Sequence, residues 1–263
     1  MTAGLLCDFN NKRGIGVSSL REKLLKGERL LGTIVSVASP TVCELLSHAG
    51  FDWLFIDAEH GPLDVAAIQD LIRAAGTTPC LVRVPTLDEV AIKRVLDAGA
   101  EGIIVPLINH ADEAKQAVAY AKYPPTGQRG VGIAGAQGYG FELDDYLARA
   151  NEEITVVVQT EHVKAVANIE AIATTPGVDA VFVGPYDLSA SLDTMGHVTD
   201  KAVVRAIDHI TRACQAANTR LGVFGASAEA VRPYMDQGFT LIAAGTDTLL
   251  LGRGARELLE KMR

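Results

Sequence analysis

The chain has 263 residues, 48% of them hydrophobic, and a formal net charge of -8 at pH 7. That acidic balance, with no Lys/Arg run, argues against a nucleic-acid partner, and no apolar stretch is long enough for a membrane span. Cys7, Cys43, Cys80 and Cys214 are scattered without a C-x-x-C pair, which fits reduced cytoplasmic thiols better than disulfides or a zinc site.

Residues 1–17 read as a loose leader containing Gly and Asn, ahead of one domain over 18–263. A short helix over 18–27 is expected to plug the bottom of that domain. Apolar strands follow at 31–37, 53–57, 80–84, 102–106, 154–159, 179–183, 220–224 and 240–244. Amphipathic helices alternate with them, as at 66–75, 90–98, 111–122, 202–217 and 228–237. Eight such repeats with strands apolar on both faces predict a parallel (β/α)8 TIM barrel with a short N-terminal helix. An open doubly wound sheet is the alternative, but the early G-x-G-x-x-G turn it usually carries is missing. One connection breaks the rhythm: 123–145 contains Pro124, Pro125, Arg129 and several glycines. A loop this long is usually functional or disordered; here it is expected to be a mobile lid whose Arg129 meets an anionic substrate. A variable surface loop is the alternative.

Several strands end in charge, as an enzyme built on a parallel barrel requires. Ile56 runs into Asp57, Glu59 and His60, and Leu81-Val82 into Arg83. Val156-Val157-Val158 runs into Gln159 and Glu161, and Val181-Phe182-Val183 into Gly184-Pro185-Tyr186-Asp187. Gln159 and Glu161 are two apart and share a strand face. Glu161 and Asp187 should therefore stand side by side, where two carboxylates repel unless a cation lies between them. An all-oxygen site suits Mg2+ or Mn2+; helix capping by both residues is the alternative. His60 is the leading acid–base candidate, oriented by Asp57 or Glu59, against the alternative of a structural histidine. Arg83 interrupts an apolar strand and needs an anion, either a substrate carboxylate or enolate or a structural partner in Asp57 or Glu59. The amides after Gly184, on Tyr186 and Asp187, are placed to receive a carboxylate. No lysine falls on a predicted strand, which disfavours Schiff-base chemistry.

Taken together, Asp57-x-Glu59-His60, Arg83, Tyr123-Pro124-Pro125-x-Gly127-x-Arg129-Gly130, Gln159-Thr160-Glu161 and Gly184-Pro185-Tyr186-Asp187-Leu188-Ser189 resemble the HpcH/HpaI aldolases. These are metal-dependent (class II) pyruvate aldolases related to macrophomate synthase. The resemblance runs in order and spacing over roughly 20–260. It implies a homohexamer of three dimers with exchanged last helices, and Mg2+, Mn2+ or Co2+ on Glu161 and Asp187. It also implies that pyruvate chelates that metal, with Arg83 neutralising the enolate and Gln159 and the Tyr186 and Asp187 amides holding the ketoacid. His60 is then the catalytic histidine, assisted by Asp57 in cis or by Asp97 of a neighbouring subunit. The implied reaction is reversible cleavage of a 4-hydroxy-2-oxo acid to pyruvate and an aldehyde, with oxaloacetate decarboxylation alongside. An acyl-CoA-type C–C lyase and a non-catalytic ketoacid-binding barrel are the alternatives. The stretch 132–141 and the bulky Tyr186 depart from many relatives. Both are expected on the aldehyde side, so no particular aldehyde is carried over.

Overall fold

The computed structural model describes residues 18–263, and the leader expected over 1–17 lies outside them. The strands are β1 (Leu30–Val35), β2 (Trp53–Asp57), β3 (Cys80–Arg83), β4 (Gly102–Val105), β5 (Thr155–Thr160), β6 (Ala180–Val183), β7 (Arg220–Gly225) and β8 (Leu241–Thr246). The helices are α1 (Leu20–Lys26), α2 (Pro40–His48), α3 (Val65–Ala74), α4 (Glu89–Asp97), α5 (Ala111–Ala121), α6 (Leu143–Glu153), α7 (Val163–Ala167), α8 (Ile169–Ala173), α9 (Pro185–Ser191), α10 (Lys201–Ala217), α11 (Ala228–Asp236) and α12 (Asp247–Met262). The strands pair in sequence order, all parallel, and β8 closes on β1, so the fold is a (β/α)8 barrel. Among the described residues no helix is long and apolar enough to cross a membrane.

Strand alternation divides the interior into two clusters. Trp53 and Phe55 on β2, Leu81 on β3, Val157 on β5 and Phe182 on β6 fill the lumen, while Leu54, Ile56, Val82, Val156 and Val158 pack outward under the helices. Continuing the inward phase by two residues toward the strand ends places Asp57, Arg83 and Gln159 directly above the apolar lumen. The helices start where side chains can satisfy their first amides: Asp64 caps α3, Asp88 caps α4 and Ser227 caps α11, each worth about 1 kcal/mol.

The expected plug is α1. Its Leu20 and Leu24 join the lumen cluster, and burying each contributes roughly 1.5–3 kcal/mol. Arg21 Nε donates to both oxygens of Asp179 at 3.0 Å, and Asp179 also accepts the Val156 amide at 2.9 Å.

The long connection is not a lid over this barrel's own mouth. It leaves from the end of α5 and packs at the opposite end, where Arg129 Nη2 meets Asp97 Oδ1 at 2.6 Å, at the end of α4. The Arg129 side chain is fully buried, stacked 4.6 Å above the Tyr123 ring and 5.8 Å from that of Tyr146. It is thus an anchor for the loop, and the expectation that it meets a substrate in its own barrel is corrected. Stretch 132–141 likewise lies on this far side, with Gly135 against Gln69 and the Asp97 and Ala98 carbonyls. Lys122, at the end of α5, is buried there too and donates to the Asn151 and Ile154 carbonyls at 2.8 and 2.5 Å. Among the described residues no lysine lies on a strand.

Candidate active site

A pocket of about 400 Å3 opens at the C-terminal ends of the strands, lined by Asp57, His60, Arg83, Gln159, Tyr186 and Asp187 among others. Register explains its most rigid part. Asp57 and Arg83 are direct partners in the β2–β3 ladder, and Arg83 donates from Nε and Nη2 to the two Asp57 oxygens at 2.9 and 2.7 Å. This bidentate geometry fixes the plane of the guanidinium, which also sits 5.2 Å above the Phe55 ring. Arg83 Nη1 lies 3.1 Å from Glu59 Oε2, without the alignment of a hydrogen bond. Of the five donors of a guanidinium, two are therefore committed to Asp57 and the remainder can serve an anion in the pocket.

Asp57 also accepts the backbone amides of Glu59 and His60 at 3.1 and 3.3 Å. Burial pushes its carboxyl upward, but Arg83 and these amides outweigh that and hold it below the ordinary value. Burial also raises Glu59, and Arg83 only partly opposes it. Both Asp57 oxygens hold Arg83 and Oδ1 also ties down the turn, and the carboxylate beside the imidazole is Glu59, 3.7 Å from Nε2. The His60 side chain is 69% exposed, open to a substrate.

Glu161 is 4% exposed, just beyond β5. Its Oε1 accepts the Leu107 amide at 2.9 Å, and its Oε2 accepts a short hydrogen bond from Gln159 Nε2. Leu107 is held at φ 54 to aim that amide, a left-handed conformation costly for leucine. Burial drives the Glu161 carboxyl upward, the Leu107 amide and Gln159 oppose it, and nearby Asp187 reinforces it. Gly184 makes this crowding possible, since a Cβ there would lie 2.8 Å from Glu161 Oε2. The capping alternative falls away for both acids. His162 caps α7 through its own ring, and the cap position of α9 is Gly184.

Among the described residues no group of three or more His, Cys, Asp or Glu is placed to hold a metal ion. A cation here would rest on Glu161 and Asp187. The Gln159 Oε1 atom, buried and without a hydrogen-bond partner, is a further oxygen of the kind hard divalent cations take. Burial and the neighbouring Asp187 both make the Glu161 carboxylate costly to ionise alone, so the donor set fits such an ion.

His60, Asp57, Arg83, Gln159, Tyr186 and Asp187 thus meet around one pocket, with Gly184 and Glu161 against Gln159. Asp97 is at the far end of its own barrel, paired with Arg129. Three residues escaped the sequence reading. Leu107 carries no residue-type signal for positive φ. Ser36 and Asp247 follow the ends of β1 and β8, where the polar run Gly245-Thr246-Asp247 shows the same strand-end pattern as the others.

The family model for HpcH/HpaI aldolase/citrate lyase matches residues 31–253. A hydroxypyruvate/pyruvate aldolase from Paraburkholderia phytofirmans is 39% identical over 93% of this chain and 97% of its own. A 4-hydroxy-2-oxovalerate aldolase from Novosphingobium aromaticivorans is 36% identical over 94% and 95%. A solved HpcH/HpaI aldolase/citrate lyase family structure from Burkholderia cenocepacia superposes with a TM-score of 0.89 at 37% identity, covering 93% of this chain and 98% of that one. A carbon–carbon lyase with its charged residues gathered at the strand ends of a closed parallel barrel, this chain belongs to the HpcH/HpaI aldolase/citrate lyase family.

Proposed function

We propose that this enzyme is a divalent-metal-dependent aldolase that reversibly cleaves 4-hydroxy-2-oxo acids to pyruvate and an aldehyde. The observation that carries the reading is the Asp57-locked Arg83 facing one pocket with Gln159 and Asp187, and with Glu161 against Gln159. The named activities of the relatives support it. Bound at Glu161 and Asp187, Mg2+, Mn2+ or Co2+ supplies a Lewis acid that polarises the 2-oxo group. Gln159 and the amides of Tyr186 and Asp187 hold the ketoacid. His60 takes the proton of the C4 hydroxyl, the C3–C4 bond breaks, and the aldehyde leaves. Arg83 opposes the charge of the pyruvate enolate left behind, and protonation at C3 completes pyruvate. Oxaloacetate, on losing CO2, yields the same enolate, so its decarboxylation is a side activity.

The assembly in this proposal is a homohexamer in the cytoplasm. The last helix supports association: on α12, Leu251, Leu258 and Met262 are 73%, 62% and 74% exposed, an apolar face of the sort that marks an interface. His60 is then assisted by Asp57 of its own chain or by Asp97 of a neighbouring subunit. The buried thiols Cys43, Cys80 and Cys214 suit a reducing compartment.

The test is pyruvate release from a 4-hydroxy-2-oxo acid, followed before and after chelation and on adding back Mg2+, Mn2+ or Co2+. Arg83→Ala should lose both cleavage and oxaloacetate decarboxylation, an effect on the order of 2–4 kcal/mol in transition-state stabilisation. Decarboxylation near the wild-type rate in that variant would remove the enolate role.

A further inference from the structure

Strand order divides the pocket into two arcs. Arg83 on β3, Gln159 on β5 and Asp187 after β6 occupy one. On the other, Phe224 comes from β7, Thr246 ends β8 and Ser36 follows β1, and these three strands are contiguous in the barrel. His60 follows β2, next to β1, so the C4 end of a substrate held by the first arc points toward the second. We propose that this second arc is an acceptor subsite selecting an uncharged, hydroxyl-bearing aldehyde, with Ser36 as its specificity-determining residue. The inference rests on the aldolase reading above and specifies its substrate class.

The chemistry of Ser36 is set by Asp247, which is 4% exposed. Asp247 Oδ1 accepts the Ser36 hydroxyl at 2.7 Å and the Thr248 amide at 2.8 Å. Its Oδ2 accepts the Ser36 and Val37 amides, both at 2.8 Å. The Ser36 proton is therefore directed away from the pocket, and what Oγ offers a ligand is lone pairs. A ligand that satisfies them must donate, as an aldehyde bearing a hydroxyl does and a plain alkyl aldehyde does not. Charge narrows the class further. The cations available to the ketoacid are Arg83 and the proposed metal, whereas among the described residues the second arc contributes no Lys or Arg to the lining and has the Asp247 carboxylate behind Ser36. A second carboxylate on the acceptor would meet like charge without a partner.

The test compares aldol addition of pyruvate to glycolaldehyde, to propanal of equal heavy-atom count, and to succinic semialdehyde, using the Mn2+-loaded enzyme. Wild type should favour glycolaldehyde over propanal in kcat/KM by about tenfold, the size of one neutral hydrogen bond, and should use succinic semialdehyde least. Ser36→Ala should bring the glycolaldehyde/propanal ratio near one, and Ser36→Thr, which keeps the hydroxyl, should restore the preference. Ser36→Gly makes the same deletion if the alanine variant fails to fold. A wild-type ratio near one, a ratio that loss of the hydroxyl leaves unchanged, or a preference for succinic semialdehyde overturns the assignment. Wild-type oxaloacetate decarboxylation, which needs no acceptor, separates the two levels: with it intact only the subsite inference falls, and without it the aldolase reading falls as well.

Discussion

Replacing Asp57 with asparagine keeps the shape of the side chain and removes the charge that fixes Arg83. Asp57 and Arg83 side chains are only 6% and 10% exposed, and Asp57 accepts from Arg83 at 2.9 and 2.7 Å and from two amides at 3.1 and 3.3 Å. An asparagine retains one acceptor oxygen, and its NH2 must face one of the guanidinium donors. Breaking a buried pair by removing one partner costs about 3–5 kcal/mol. Glu59, 3.1 Å from Nη1, compensates part of the orphaned charge, so the lower end of that range, about 3 kcal/mol, is expected. Urea unfolding of the metal-free protein measures it, reported by Trp53, the chain's single tryptophan, which is fully buried in the lumen. The pH dependence has a definite sign. Because the Asp57 carboxyl titrates below its ordinary value of 3.8, its stabilisation is fully present above that value and is lost as pH falls through the depressed one. The gap between wild type and Asp57→Asn should therefore be flat around neutrality and should close in acid. A neutral-pH difference under about 1 kcal/mol, the size of an exposed ion pair, would refute the reasoning.

Other perturbations separate the remaining roles. His60→Gln should slow aldol cleavage by roughly 10²–10⁴-fold and decarboxylation far less, because only cleavage takes a proton from a C4 hydroxyl; equal losses in paired rate measurements would make His60 structural. Glu161→Gln should leave the metal-free protein at least as stable as wild type at neutral pH, since burial raises that carboxyl and its ionised form is disfavoured. Added Mn2+ should raise the melting temperature of wild type and not of Glu161→Gln. A Mn2+ shift of wild-type size in the variant would remove Glu161 from the metal site.

Much of this was legible in the sequence. Lumen and shell packing make barrel strands apolar on both faces, so they stand out, and Arg83 and Glu161 announce themselves as charges at the ends of apolar runs. The pairing of Arg83 was not decidable from one chain, because a substrate anion and Asp57 satisfy a guanidinium equally well. Only the in-register β2–β3 ladder shows that Asp57 takes part of it in any case. The loop carrying Arg129 was misplaced for a different reason. Gly-rich segments read alike at either end of a barrel, but this one follows a helix, and in a β/α repeat that puts it at the end away from the active site. Leu107 was invisible, since its role is an amide direction that any residue forced into its φ would provide.

The most direct test of the central claim is exchange of the pyruvate methyl protons with deuterium, followed by proton NMR with no aldehyde present. Exchange requires the enolate and nothing downstream of it. Wild type loaded with Mg2+ should wash out the methyl signal, chelated wild type and Arg83→Ala should not, and borohydride added with pyruvate should leave no covalent adduct by mass. Exchange that persists after exhaustive chelation, or a lysine adduct trapped by borohydride, would contradict the metal-enolate account.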